Sequence, residues 1–135
     1  MPSVRGAIIE LLRADAELVA MLPDDEHIYH RTAPQDSQPP FIIISKQDGR
    51  PTYTFGDHHN GSLWTVKGIC RGMDSTPADD LDERIRAVLQ DAELDLDGRT
   101  TLWFRFEEDV DFGELEEGAI IHHVGAMYRL IDQPD

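Results

Sequence analysis

The chain has 135 residues, which fits one domain with a core of its own and leaves little room for a second. Its 27 acids against 12 Lys and Arg give a net charge of −15, a field that repels phosphate backbones and argues against tight nucleic-acid binding. Cys70 is the single cysteine, so no internal disulfide forms. No apolar run approaches the ~20 residues that span a bilayer.

In chain order, Val4 to Leu22 reads as helix. Val4, Ala7, Ile8, Leu11 and Leu12 follow the helical period, and Ser3 is placed to cap the first turn. Asp15 falls where the apolar stripe should continue. This predicts a kink there, with Asp15 capping a second short helix that Pro23 stops. His27 to Arg31 reads as a short strand, and Thr32 to Pro40 as a Pro-, Gln- and Ser-rich loop. Phe41 to Lys46, an unbroken apolar run after Pro40, reads as a central strand covered on both faces. The stretch 48–61 is expected to be a long loop or a projecting hairpin, in which Thr52-Tyr53-Thr54-Phe55 has strand character. A connection of that length is usually functional or mobile.

Leu63 to Arg71 alternates, with Trp64, Val66 and Cys70 on one face and Thr65, Lys67 and Arg71 on the other. Thr76 as N-cap and Pro77 as first residue open a helix with the apolar stripe Leu81, Ile85, Val88, Leu89 and Ala92. After the Gly98 turn, Leu102, Phe104 and Phe106 mark another strand. The acidic stretch Glu107 to Gly118 reads as a connection. Ala119 to Ile131 is the last strand, with a frayed tail at 132–135. The fold class expected is α+β: a single domain over 1–135, with one mostly antiparallel sheet of about four to five strands and two helices packed on one face.

Residues able to carry chemistry do not assemble into a site. The histidines His27/His30, His58/His59 and His122/His123 come in pairs. On a strand, His122 and His123 point to opposite faces, the first towards the core. Glu93-x-Asp95-x-Asp97-Gly98 opens like a Ca²⁺ loop, but the position of the closing Glu is Phe104. Cys70 sits on an apolar face and reads as a core residue. The run Glu107, Glu108, Asp109, Asp111, Glu114, Glu116 and Glu117 reads as solvated, its functional version being a negative patch facing DNA or a basic partner. Basic residues are scattered singly, with no patch. No catalytic, cofactor-binding or metal-binding residue is expected, and the chain does not read as an enzyme.

Several segments together resemble one family. Ile8-Ile9-Glu10-Leu11-Leu12-Arg13-Ala14-Asp15-Ala16-Glu17-Leu18 is similar to its opening helix, broken at the Asp. His27-Ile28-Tyr29, then Gln38-Pro39-Pro40-Phe41-Ile42-Ile43-Ile44, is similar to its short strand, loop, proline and apolar strand. Trp64-Thr65-Val66 and the helix from Pro77 to Leu89 come next, in its order. The chain thus resembles the tail terminator, or tail-completion, proteins of siphophages and gene-transfer particles. That resemblance implies a structural virion protein at the junction of tail and neck, made in the host cytoplasm and without a cofactor. It implies a homohexameric ring that caps the head-proximal end of the tail tube, stops tube polymerisation and joins the tail to a head connector. The partners implied are further copies of the chain, the tail tube protein and a head-closure or connector protein. DNA would pass without specific binding, and no membrane is involved. Tyr53, Phe55, His58 and His59 are the candidates for an inter-subunit or tube contact. The acids from Glu107 to Glu117 are the candidates for a DNA-facing patch. Another neck component is the alternative reading, and a small bacterial enzyme or ligand-binding module a more distant one.

Overall fold

A computed structural model describes residues 3–34, 37–54, 57–96 and 98–134, and for 48–60 the backbone alone. The order is α1 (Val4–Ala14), α2 (Ala16–Val19), β1 (Ile28–His30), β2 (Phe41–Thr54), β3 (Asp57–Arg71), α3 (Thr76–Leu89), β4 (Arg99–Glu116) and β5 (Ala119–Pro134). The five strands form one sheet in the order β1-β2-β3-β5-β4. Only β1 and β2 run parallel; every other neighbour is antiparallel.

The kink expected at Asp15 is present. Ser3 Oγ accepts the Gly6 N–H at 3.0 Å to cap α1, and Asp15 Oδ2 accepts the Leu18 N–H at 3.0 Å to cap α2. The same carboxylate receives a two-pronged hydrogen bond from Arg84 of α3, at 2.7 and 2.6 Å, which ties the kink to the third helix. Helix α3 starts one residue earlier than expected. Ser75 is its N-cap position, and Asp74 Oδ1 satisfies the Thr76 N–H at 2.9 Å.

Alternation along the strands builds the core on one face. Ile42, Ile44, Trp64, Val66, Val124, Ala126, Tyr128, Leu130 and Phe104 meet Ile8 and Leu12 of α1 and Leu81, Ile85 and Leu89 of α3. Gly68 lets α3 approach, for a Cβ there would lie 2.7 Å from Leu81 Cδ2. Among the described residues the other face carries no helix. A small cluster, Phe41, Ile69 and Ile121 with Tyr29, Ala33 and Ile43 against it, covers one end. Strand β2 is therefore an inner strand buried on both faces at its start, as its apolar run predicts.

Three expectations change. The acidic stretch is not a connection: β4 continues through Glu116, paired with β5 to Ala119, and the turn is confined to Glu117 and Gly118 at positive φ. The tail is not frayed at 132–134. Asp132 is buried against the Arg99 guanidinium, and Gln133 and Pro134 pair with Thr100 and Arg99; Asp135 lies outside the described residues. Leu102 does not join the core: a bulge between Thr101 and Trp103 breaks the alternation and leaves it exposed. The stretch 48–61 resolves to the hairpin alternative, with Tyr53 paired to His58 and Thr52 to His59.

Candidate interaction surfaces

The outer end of the β2–β3 hairpin parts from its neighbours, for the last two described residues of β5, Gln133 and Pro134, pair with β4 and not with β3. Strand β5 pairs with β3 only as far as Asn60, and β1 pairs with β2 only from Ile42 to Ile44. Beyond those points, among the described residues, the two strands pair with each other alone, over roughly 10 Å. Tyr53, His58 and His59 lie in this segment by their backbone, and Phe55 lies outside the described residues.

The acidic run occupies the second surface, the C-terminal half of the edge strand β4. All seven acids are exposed. Three are engaged within the chain: Glu107 accepts from Arg129 at 3.2 Å, Asp109 from Arg86 at 2.8 Å, and Glu114 contacts the His123 ring. Glu108, Asp111, Glu116 and Glu117 form no ion pair among the described residues. Among the described residues the outer edge of β4 has no strand beside it. Carboxylates along such an edge discourage indiscriminate strand pairing. On the helix-free face of this hairpin, Phe112 stacks on His123 at 4.3 Å and lies under the Lys67 ammonium at 5.1 Å. Burial, above the other causes, holds the Lys67 and His123 pKa values below their ordinary ranges.

The third surface has no counterpart in the sequence pattern, where the basic residues are scattered. At the β1–β2 edge, on the helix side, Arg5, His30, Arg31 and Lys46 line one open cavity of about 360 Å³, with Trp64 behind them and Ser3 and Val4 of the α1 N-terminus on its rim. Arg5 Nη1 donates to His30 Nδ1 at 2.9 Å, which requires the neutral imidazole with its proton on Nε2. Burial, then the charges of Arg5 and Arg31, hold the His30 pKa below its usual value, in agreement with that assignment. Arg31 ends β1 in the left-handed region at φ 67° while its N–H donates to Ile44 O at 2.9 Å. Arg31 and Lys46 are exposed and form no ion pair among the described residues.

The remaining candidates are structural. Cys70 borders a cavity of about 290 Å³ lined by apolar residues such as Met21, Pro40 and Leu81 and by Arg71 and Asp80, but burial pushes its thiol up to about 11, which leaves little thiolate at neutral pH. His122 lies on the helix side, as expected, its Nε2 3.0 Å from the Gly72 carbonyl, and His123 on the opposite face. His27 Nδ1 is 2.7 Å from Asp24 Oδ1. Among the described residues, no three His, Cys, Asp or Glu side chains converge in the manner of a metal site. Trp103 packs against Arg105 at 4.9 Å on the helix-free face, while Phe104 is fully buried.

Residues 6–126 match the family model described as "Tail completion protein gp17". A solved structure titled "Virion of native gene transfer agent (GTA) particle" contains a chain of the same fold. The TM-score is 0.81 at 15% identity, over 96% of this chain and 95% of that one. No curated protein sequence matches.

Proposed function

Because the chain belongs to the tail completion protein gp17 family, we propose that it is a structural protein of a virion tail that closes a ring at the head-proximal end of the tail tube. The observation that carries this reading is the family match over residues 6–126, nearly the whole fold rather than one motif. In this role it ends tube polymerisation and offers the head connector a surface, with no catalytic step. The ring is a hexamer on the resemblance of the sequence. The net charge of −15 suits a passage that DNA crosses without adhering. The β2–β3 hairpin, which has no other strand beside its outer half, is the arm that reaches a neighbouring subunit or the tube.

The test is electron microscopy of particles assembled without this chain. Overlong tails, or normal tails unjoined to filled heads, are expected. Heads that leak DNA beside tails of normal length would refute the reading in favour of a head-closure role. Deleting Thr52 to His59 is expected to weaken the ring, read by native mass spectrometry; unchanged hexamers would remove the arm from the interface.

A further inference from the structure

We infer that the two outer edges of the sheet are the two halves of one self-interface, in which the basic cavity at the β1–β2 edge receives the acidic β4 edge of a second copy. The inference rests on the ring reading and names the surfaces that close the ring. It moves the acids of β4 from a DNA-facing patch to a subunit contact.

Charge is the first argument. In a chain of 27 acids and 12 Lys and Arg, three of those 12 line a single cavity without a carboxylate among its lining residues. The N-terminal end of α1 on the rim adds the partial positive charge of the helix dipole. Arg31 and Lys46 have no ion-pair partner inside the described chain, and at the other edge neither do Glu108, Asp111 and Glu116. Each set is what the other lacks.

Register is the second argument. Lys46 is paired with Trp64, Trp64 with Tyr128, and Tyr128 with Phe106. Two rows further, His30 is beside Ile44, which leads through Val66 and Ala126 to Asp109, and the row between runs from Ser45 through Thr65 and Met127 to Glu108. The cavity therefore lies in the same cross-strand rows as Glu107 to Asp109 at the far edge, some four strand spacings or about 19 Å away. Complementary patches on opposite sides of a subunit make a heterologous contact. Because they are level along the strand direction, repeating the contact needs little rise per copy, and a rotation closes it into a ring.

The test is the mass of the native chain and of charge-reversed variants by multi-angle light scattering and native mass spectrometry. The unmodified chain is expected to form a ring, a multiple of the 15.3 kDa protomer. Arg31→Glu with Lys46→Glu, and separately Glu108→Lys with Asp111→Lys, are expected to reduce it to monomer. Far-UV circular dichroism spectra should match the parent, since all four side chains are exposed. Mixing the two variants one to one is expected to restore a ring of alternating copies, because one then carries two acidic edges and the other two basic ones, so that both contacts of every copy are complementary. If the unmodified chain is a ring and both variants keep its mass, the edge interface is wrong and the ring reading stands. If the unmodified chain stays monomeric at the highest soluble concentration, both fall. If Arg31→Glu with Lys46→Glu leaves the ring intact and instead abolishes binding of a fluorescent 20-base-pair duplex, the cavity serves nucleic acid and the proposal is overturned.

Discussion

Gly125 sits at a close approach of β5 to β3. It is paired with Lys67 on one side and Val110 on the other, in the middle of the sheet. A Cβ on it would lie 2.3 Å from the Val66 carbonyl oxygen and 2.4 Å from Lys67 Cα. Those are backbone atoms of an inner strand and cannot rotate aside. Restoring ordinary contact, about 3.4 Å, requires the two strands to part locally by roughly 1 Å, the difference between 3.4 and 2.4 Å. Overpacking of that kind costs about 1–3 kcal/mol, and weakening the flanking ladder bonds adds about 1 kcal/mol for each bond lost. Gly125→Ala is therefore expected to destabilise the fold by about 3–4 kcal/mol, a fall of roughly 10–15 °C in Tm for a chain of this size. Gly113→Ala is the control, because its added Cβ would meet the Ile120 Cγ2 methyl at 3.3 Å and the Ile121 carbonyl oxygen at an ordinary 3.9 Å. Calorimetric melts at one fixed protomer concentration provide the comparison, since assembly would otherwise shift Tm. A Gly125→Ala protein melting within 3 °C of the parent would refute the close strand approach.

The buried and capped groups carry further expectations. Asp15→Ala removes the α2 cap and the Arg84 anchor together and should cost about 1–2 kcal/mol in urea unfolding at pH 7. Its sign with pH is fixed: the Arg84 hydrogen bonds, foremost, hold the Asp15 pKa below the usual carboxylate range. The stabilisation is thus present above the unfolded value near 3.9 and is lost as pH falls through the folded one, so parent and variant should converge in acid. A gap of unchanged size at pH 2.5 would sink that account. Among the described residues the buried Tyr128 hydroxyl has no hydrogen-bond partner, and burial, foremost, pushes its pKa up to about 12 while the neighbouring Arg86 pulls it down. Tyr128→Phe keeps the stacked Phe104 ring and should leave Tm unchanged or raise stability by up to about 1 kcal/mol; a loss beyond 1 kcal/mol in the same melts would show that the hydroxyl is bonded. The Cys70 thiol, raised to about 11, should resist a disulfide reagent at pH 7.5 in the folded protein and react freely in urea. Rapid native labelling would contradict its burial.

Much of this fold is readable where one residue type answers one local demand. Asp15 breaks a stripe and caps the next helix, and Phe41 to Ile44 is apolar because both faces of β2 are covered at that end. The second half of β4 reads as a connection because charge density there outweighs period. Asp109-Val110-Asp111-Phe112 does alternate, and that alternation is the signal that marks it as strand. The basic cavity has no such signal. Arg5 and His30 are 25 residues apart and Lys46 another 16 on, and only the parallel register of β1 on β2, with the start of α1 beside it, brings them together.

The two open edges also explain why opposite charge there is more than solubility. An isologous contact through β4 would set Glu108, Asp111 and Glu116 against their own copies, and one through the β1 edge would set Arg31 and Lys46 against theirs. Both are repulsive, most strongly at low ionic strength. The contact of one edge with the other remains as the attractive arrangement. It is head to tail, and it uses as partners the same charges that keep each edge from pairing at random.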